Sequence, residues 1–232
     1  MSKNYPVYIV ILLVFLYVFI PFLAPIFFKL GYSNIGEDIN NVYVEFCHQR
    51  VERSVFLFGE NGLVKKYSVQ ELKDLKYLPE KPADPNIYPE YYGHGYYGNA
   101  QIGYKVPICI RDIALYLGFV IAGLFAAMYV EKKKKTFHIS FFVLMIFLLP
   151  MMLDGVSGSI IEGFKILAIP SWYLDDWIRR IVTGLLFGIG SALFIIPKFF
   201  TDEDLKKENK ENEGKKTKER ESKKNGVKRK IN

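Results

Sequence analysis

Two cysteines, a histidine and an aspartate are the residues in this sequence best suited to chemistry. Cys47 is followed directly by His48 and Gln49, and Cys109 stands three residues before Asp112. Two thiolates, an imidazole and a carboxylate are competent ligands for zinc or another divalent metal. Cys-x-x-Asp is a less specific signature than Cys-x-x-Cys, and adjacent Cys and His ligate one ion only where the backbone turns suitably. The same two cysteines also permit a Cys47–Cys109 disulfide if both face an oxidising compartment. Around them lie Arg53, Ser54, Arg111, Asp154 and Arg180. Arg53, Arg111 and Arg180 suit a phosphate or carboxylate. The plainer reading of these charges is a rim of arginine–carboxylate pairs that anchors helix ends.

The elements that position these residues are read from charge-free runs. Tyr5–Phe28, Ile113–Val130, Ile139–Leu153 and Ile181–Pro197 contain no charged residue, while charges crowd the segments between and after them. About 20 helical residues cross a hydrocarbon core of roughly 30 Å. The first run exceeds that length, and the other three reach it with their uncharged flanks. The pattern predicts an all-α membrane protein, a four-transmembrane-helix bundle with an extracytoplasmic insert and a disordered C-terminal tail. Residues 1–30 form the first span and 31–110 an extracytoplasmic segment holding the Cys-His-Gln motif. Residues 111–200 form a three-helix membrane region with an interfacial segment at 154–178, and 201–232 a charged cytoplasmic tail.

Charge sets the expected orientation. The chain is 232 residues long with a net charge of +7. Residues 201–232 hold 12 Lys and Arg against 8 Asp and Glu, and Glu131–Lys135 holds four Lys against one Glu. Basic clusters beside spans stay in the cytosol, which places both termini there in a multi-pass cell-membrane protein. The tail has no aromatic residue and no apolar face, so nucleic acid is not an expected partner and disorder is expected. Within 31–110, Val64–Leu75 reads as a short amphipathic helix with Ser68 as N-cap before Glu71. The Tyr/Gly-rich stretch at 91–98 reads as a loop or hairpin at the membrane interface. Gly184 and Gly188 have the small-xxx-small spacing that lets helices approach closely.

Topology then gathers the chemistry. Cys109 and Asp112 lie three apart at the start of the second span and project to one side. Cys47 is about 17 residues past the first span, enough chain to return to the membrane surface. One outward-facing site at the mouth of the bundle is the expectation, with Arg111 and Asp154 supporting its ligands.

The stretch Phe46-Cys47-His48-Gln49-Arg50 through Arg53-Ser54 to Gly59 resembles the hallmark of an uncharacterised prokaryotic membrane family, domain of unknown function 2085. Pro107-Ile108-Cys109-Ile110-Arg111-Asp112, Tyr116-Leu117-Gly118, Asp154-Gly155 and Arg180-Ile181-Val182-Thr183-Gly184 follow in the family's order. The family pattern places a second cysteine where Asp112 stands here, and it lacks most of the stretch from Glu60 to Lys105. A local Cys-x-x-Cys disulfide is therefore ruled out, whereas a carboxylate can still replace a thiolate at a metal. The resemblance implies a membrane architecture and no activity.

Two classes of function fit. One is a metal-dependent enzyme acting on a lipid-linked or small extracytoplasmic substrate, with zinc or another divalent metal as cofactor. No phosphate-binding glycine loop, nucleophile elbow or His-Glu-x-x-His motif accompanies it. The other is a small transporter, or a transporter or partner-binding accessory subunit. Partners in either case are the lipid bilayer and a homo- or hetero-oligomer.

Overall fold

The computed structural model describes residues 5–47, 49–60, 62–77, 96–164 and 177–200. His48, most of the Tyr/Gly-rich stretch, residues 165–176 of the expected interfacial segment and the tail 201–232 lie outside the described residues.

Apolar composition forces long helices. Helix α1 (Tyr5–Phe19) runs through a 3₁₀ turn at Ile20–Phe22 into α2 (Leu23–Lys29). The tightening falls at Pro21, which has no N–H for an α-helical bond. A short polar helix, α3 (Ser33–Val44), follows, and α4 (Val69–Asp74) lies beyond the first strands. Helices α5 (Ile110–Lys133), α6 (Phe141–Phe164) and α7 (Trp177–Ile195) complete the helical part. Among the described residues three helices are long and apolar enough to cross a membrane: Pro6–Lys29, Ile110–Lys133 and Trp177–Phe199. Large apolar side chains such as Leu13, Phe125, Phe142 and Ile146 point away from the protein. Exposure on that scale is unfavourable in water and ordinary in lipid.

Glycine brings α5 and α7 together. A Cβ on Gly188 would sit 2.0 Å from the carbonyl oxygen of Leu115, and one on Gly184 would sit 2.5 Å from that of Arg111. A Cβ on Gly118 of α5 would sit 2.8 Å from the Leu185 carbonyl oxygen. The expected small-xxx-small contact is thus a backbone-to-backbone seam. Towards the Lys132–Lys135 end, Val7 and Ile11 pack on Ala126, Ala127, Val130, Ala192 and Ile196. At that end the Tyr8 hydroxyl donates to Glu131 at 2.9 Å.

The expectation of an all-α protein needs correction. The described residues form a small four-stranded antiparallel sheet in the order β2-β1-β4-β3, made of β1 (Ser54–Gly59), β2 (Gly62–Lys65), β3 (Gly98–Asn99) and β4 (Gly103–Cys109). Phe56 pairs with Lys65 across β1–β2, and Ser54 pairs with Cys109 across β1–β4. Val51, Phe56, Tyr67, Leu72 and Ile102 close a separate core beneath it. The amphipathic segment at 64–75 therefore divides, its first two residues ending β2 and Val69–Asp74 forming α4. Ser68 caps α4 as expected: Glu71 N–H donates to its Oγ at 3.1 Å, and Ser68 N–H donates back to the Glu71 carboxylate at 2.7 Å.

Candidate functional site

Three elements deliver the central residues. Cys47 follows α3, and its N–H donates to Tyr43 O at 3.0 Å, which holds the exit of that helix. The Tyr43 hydroxyl donates to Tyr17 O at 2.6 Å, and the Tyr17 ring meets Tyr43 and Tyr116 edge-on or tilted at 5.3 and 4.8 Å. This aromatic cluster ties α3 to the first span and to α5. Cys109 ends β4 and caps α5, while Asp112 lies in the first turn of α5, where a carboxylate is favoured by the helix dipole. The β1–β4 pairing sets Arg53 and Ser54 beside Cys109.

The result is a compact donor cluster. One ligand atom each from Cys47, Cys109 and Asp112 falls within 4.8 Å of the others. The two cysteines lie 4.2 Å apart and unbonded. The Cys109 thiol donates to the Asp112 carboxylate at 2.9 Å. The neighbouring Cys109 thiol lowers the pKa of Cys47, against the opposing pull of burial. The proximity of Cys47 raises that of Cys109, with burial and Asp112 adding to the effect. Cys47 is the thiolate-prone member of the pair.

Gln49, Arg50 and Lys105 build the wall behind the cluster. Gln49 is buried at positive φ (50°), and its side chain explains why it stays there. Its Nε2 donates to Asn40 O at 2.7 Å, and its backbone and side-chain oxygens accept from Lys105 Nζ at 3.1 and 3.4 Å. Lys105 is fully buried, and burial pulls its pKa down to about 7 against the nearby charges of Cys47 and Glu52. Ser54 is also structural, its hydroxyl donating to Arg50 O at 2.9 Å.

A pocket of about 250 Å³ opens beside the cluster. It is lined by Val44, Glu45, Phe46, Cys47, Gln49, Arg50, Arg53, Cys109 and Asp112. Arg50 pairs with Glu52, and Arg53 Nε lies 3.7 Å from the same carboxylate. Asp154 is buried, accepts from Arg111 and lies 3.2 Å from Arg179 Nε. One carboxylate therefore joins α5, α6 and α7.

Of the sequence-predicted residues, Cys47, Gln49, Arg53, Cys109 and Asp112 line one pocket. Arg111 and Asp154 form the helix-joining pair, Arg180 is buried on α7, Ser54 serves the backbone, and His48 lies outside the described residues. Glu52 and Lys105 are the residues here that sequence reasoning missed. For Lys105 a signal existed: it is the lone charge in the otherwise uncharged stretch Gly103–Cys109 that forms β4.

Residues 101–194 match the family described as "Predicted membrane protein (DUF2085)". The matched region contains Cys109, Arg111, Asp112, Asp154 and Arg180, and it starts after the Cys47-His48-Gln49 block. No curated protein and no solved structure matches the chain significantly.

Proposed function

We propose that this membrane protein, whose residues 101–194 match the DUF2085 family, binds a divalent metal through Cys47, Cys109 and Asp112 on the outward face of a four-span bundle. The observation that carries the reading is the convergence of three donor atoms within 4.8 Å from three separate elements. Zinc fits the donor chemistry, since it accepts thiolate and carboxylate together. A tetrahedral ion at about 2.3 Å from each sulfur holds the sulfurs roughly 3.8 Å apart, near the 4.2 Å found here. A disulfide needs about 2.05 Å. Three protein ligands leave a fourth position for His48, which adjoins Cys47 in sequence, or for water and substrate. Such an ion polarises a carbonyl or phosphoryl oxygen or activates water, which favours an enzyme acting on a lipid-linked or small substrate over a transporter.

Helix α6 is the fourth span in this reading. It runs 24 residues from Phe141 to Phe164, about 36 Å at 1.5 Å per residue, and its first part to Gly155 is apolar. Lys132–Lys135 then keeps the α5–α6 connection in the cytosol, with both termini. The site and sheet lie at the opposite end.

Labelling of intact cells with a membrane-impermeant maleimide tests metal and orientation together. Cys47 and Cys109 are expected to stay unlabelled until a chelator is added and then to react without reductant. Labelling that requires a reductant instead would contradict the metal reading in favour of a disulfide. Labelling only after the cells are permeabilised would contradict the orientation.

A further inference from the structure

Cys47 and Cys109 are the only cysteines in the chain, and the fold sets them against each other. They lie 4.2 Å apart with no bond between them, whereas a disulfide needs about 2.05 Å. The roughly 2 Å that remain are within reach of two side chains each turning about its own Cα–Cβ bond. Cys109 is fixed between β4 and α5, and Cys47 lies on the non-helical stretch past α3, so most of the approach falls to Cys47. Both line the pocket of about 250 Å³, and neither is sealed in the core. A solute the size of hydrogen peroxide therefore has a route to both sulfurs. The third donor is the carboxylate of Asp112, so no other thiol competes for either partner.

We propose that Cys47 and Cys109 are a redox switch on the metal site: a peroxide oxidises the two metal-bound thiolates to a disulfide, and the metal is expelled. The inference rests on the metal reading, because the released ion is the one bound there. One thiolate attacks a peroxide oxygen, the O–O bond breaks, hydroxide leaves, and a sulfenic acid forms. The second thiolate attacks that sulfur, forms the S–S bond and displaces a second hydroxide. The two sulfurs give up two electrons, and hydrogen peroxide accepts them and ends as two hydroxide ions. Thiolates are the metal ligands, and a disulfide has none. Of the three donors only Asp112 remains, too few to retain an ion that takes four ligands. An outward-facing site meets the oxidising side of the membrane. A dithiol reverses the step by exchange, and the two thiolates it restores take up metal again. The site thus has a reduced, metal-bound state and an oxidised, metal-free one, and cells not exposed to peroxide hold the first.

The test uses purified full-length, zinc-loaded protein in a neutral maltoside detergent, with hydrogen peroxide as the oxidant. A chromogenic chelator follows released zinc. After catalase removes residual peroxide, maleimide counts the thiols of the chelated protein, and mass spectrometry of non-reduced peptides locates the sulfur bonds. About one zinc is expected to leave per peroxide consumed, with loss of both maleimide-reactive thiols and appearance of a Cys47–Cys109 linked peptide. A dithiol reductant followed by zinc is expected to restore the starting metal content. Asp112→Ala, which is expected to be metal-poor, closes the same disulfide and reads the sulfur geometry without the ion; an open pair there would contradict that geometry. Wild type that binds no zinc at the outset would overturn the metal reading, and the switch with it. Wild type that starts with zinc but keeps it, loses it only through sulfinic acid beyond rescue by the reductant, or cross-links between two copies would overturn the switch and leave the metal reading standing.

Discussion

At the scale of single residues, the site joins groups whose cost of burial is met by named partners. Lys105 is the sharpest case, since its ammonium is fully buried against the two oxygens of Gln49. Its pKa falls to about 7 from an ordinary 10.5. Between those values the unfolded chain holds a proton that the folded protein has released, so stability rises with pH over that window. Lys105→Met is expected to remove this rise. Thermal midpoints in nanodiscs at pH 7 and pH 9 should increase for wild type and stay level for the variant, and parallel curves would contradict the assignment. The Cys109–Asp112 pairing was legible in the sequence because a three-residue step at a helix start fixes direction. The placement of Arg50 and Lys105 was not. Lys105 is the lone charge of β4, but a lysine in a strand ordinarily faces water, and the register that turns this one inward is set by the strand's partners.

At the scale of elements, two contacts hold the helices that carry the site. Gly188 meets the Leu115 carbonyl so closely that even an alanine Cβ would lie 2.0 Å from it, and backbone cannot yield as a side chain can. Gly188→Val is expected to cost at least about 1–3 kcal/mol, seen as a lower thermal midpoint, and an unchanged midpoint would mean that the seam is looser than described. Asp154 gathers Arg111 and Arg179 from two other helices. Asp154→Ala leaves those guanidinium groups without their shared carboxylate and is expected to cost on the order of 3 kcal/mol, while a surface change such as Lys73→Ala costs little. Loss of equal size in both would show that Asp154 is not the tie. Three of the four expected spans were readable because apolar length alone specifies them. The sheet was not, because its strands are at most seven residues long and their pairing is set by contacts 47 to 55 residues apart between β1 and β4.

At the scale of the whole molecule, the spans bring Cys47 and Cys109 back to one end although 61 residues separate them in sequence. Helices α5 and α7 make a rigid glycine seam, the tyrosine cluster fastens α3 to it, and the sheet seats Arg53 beside Cys109. That end of the protein concentrates thiols, carboxylates and guanidinium groups, while the opposite end carries the lysines of 132–135 and a core of small apolar residues. The family match supports a membrane protein and leaves the chemistry to the site. The most direct test of that chemistry is the metal content of the purified full-length protein, measured by inductively coupled plasma mass spectrometry beside Asp112→Ala and Cys47→Ser. About one equivalent of zinc in wild type, with a marked loss in both variants and an unchanged elution profile, is the predicted result. Wild-type protein that elutes folded and carries no metal, even after incubation with zinc, would contradict it.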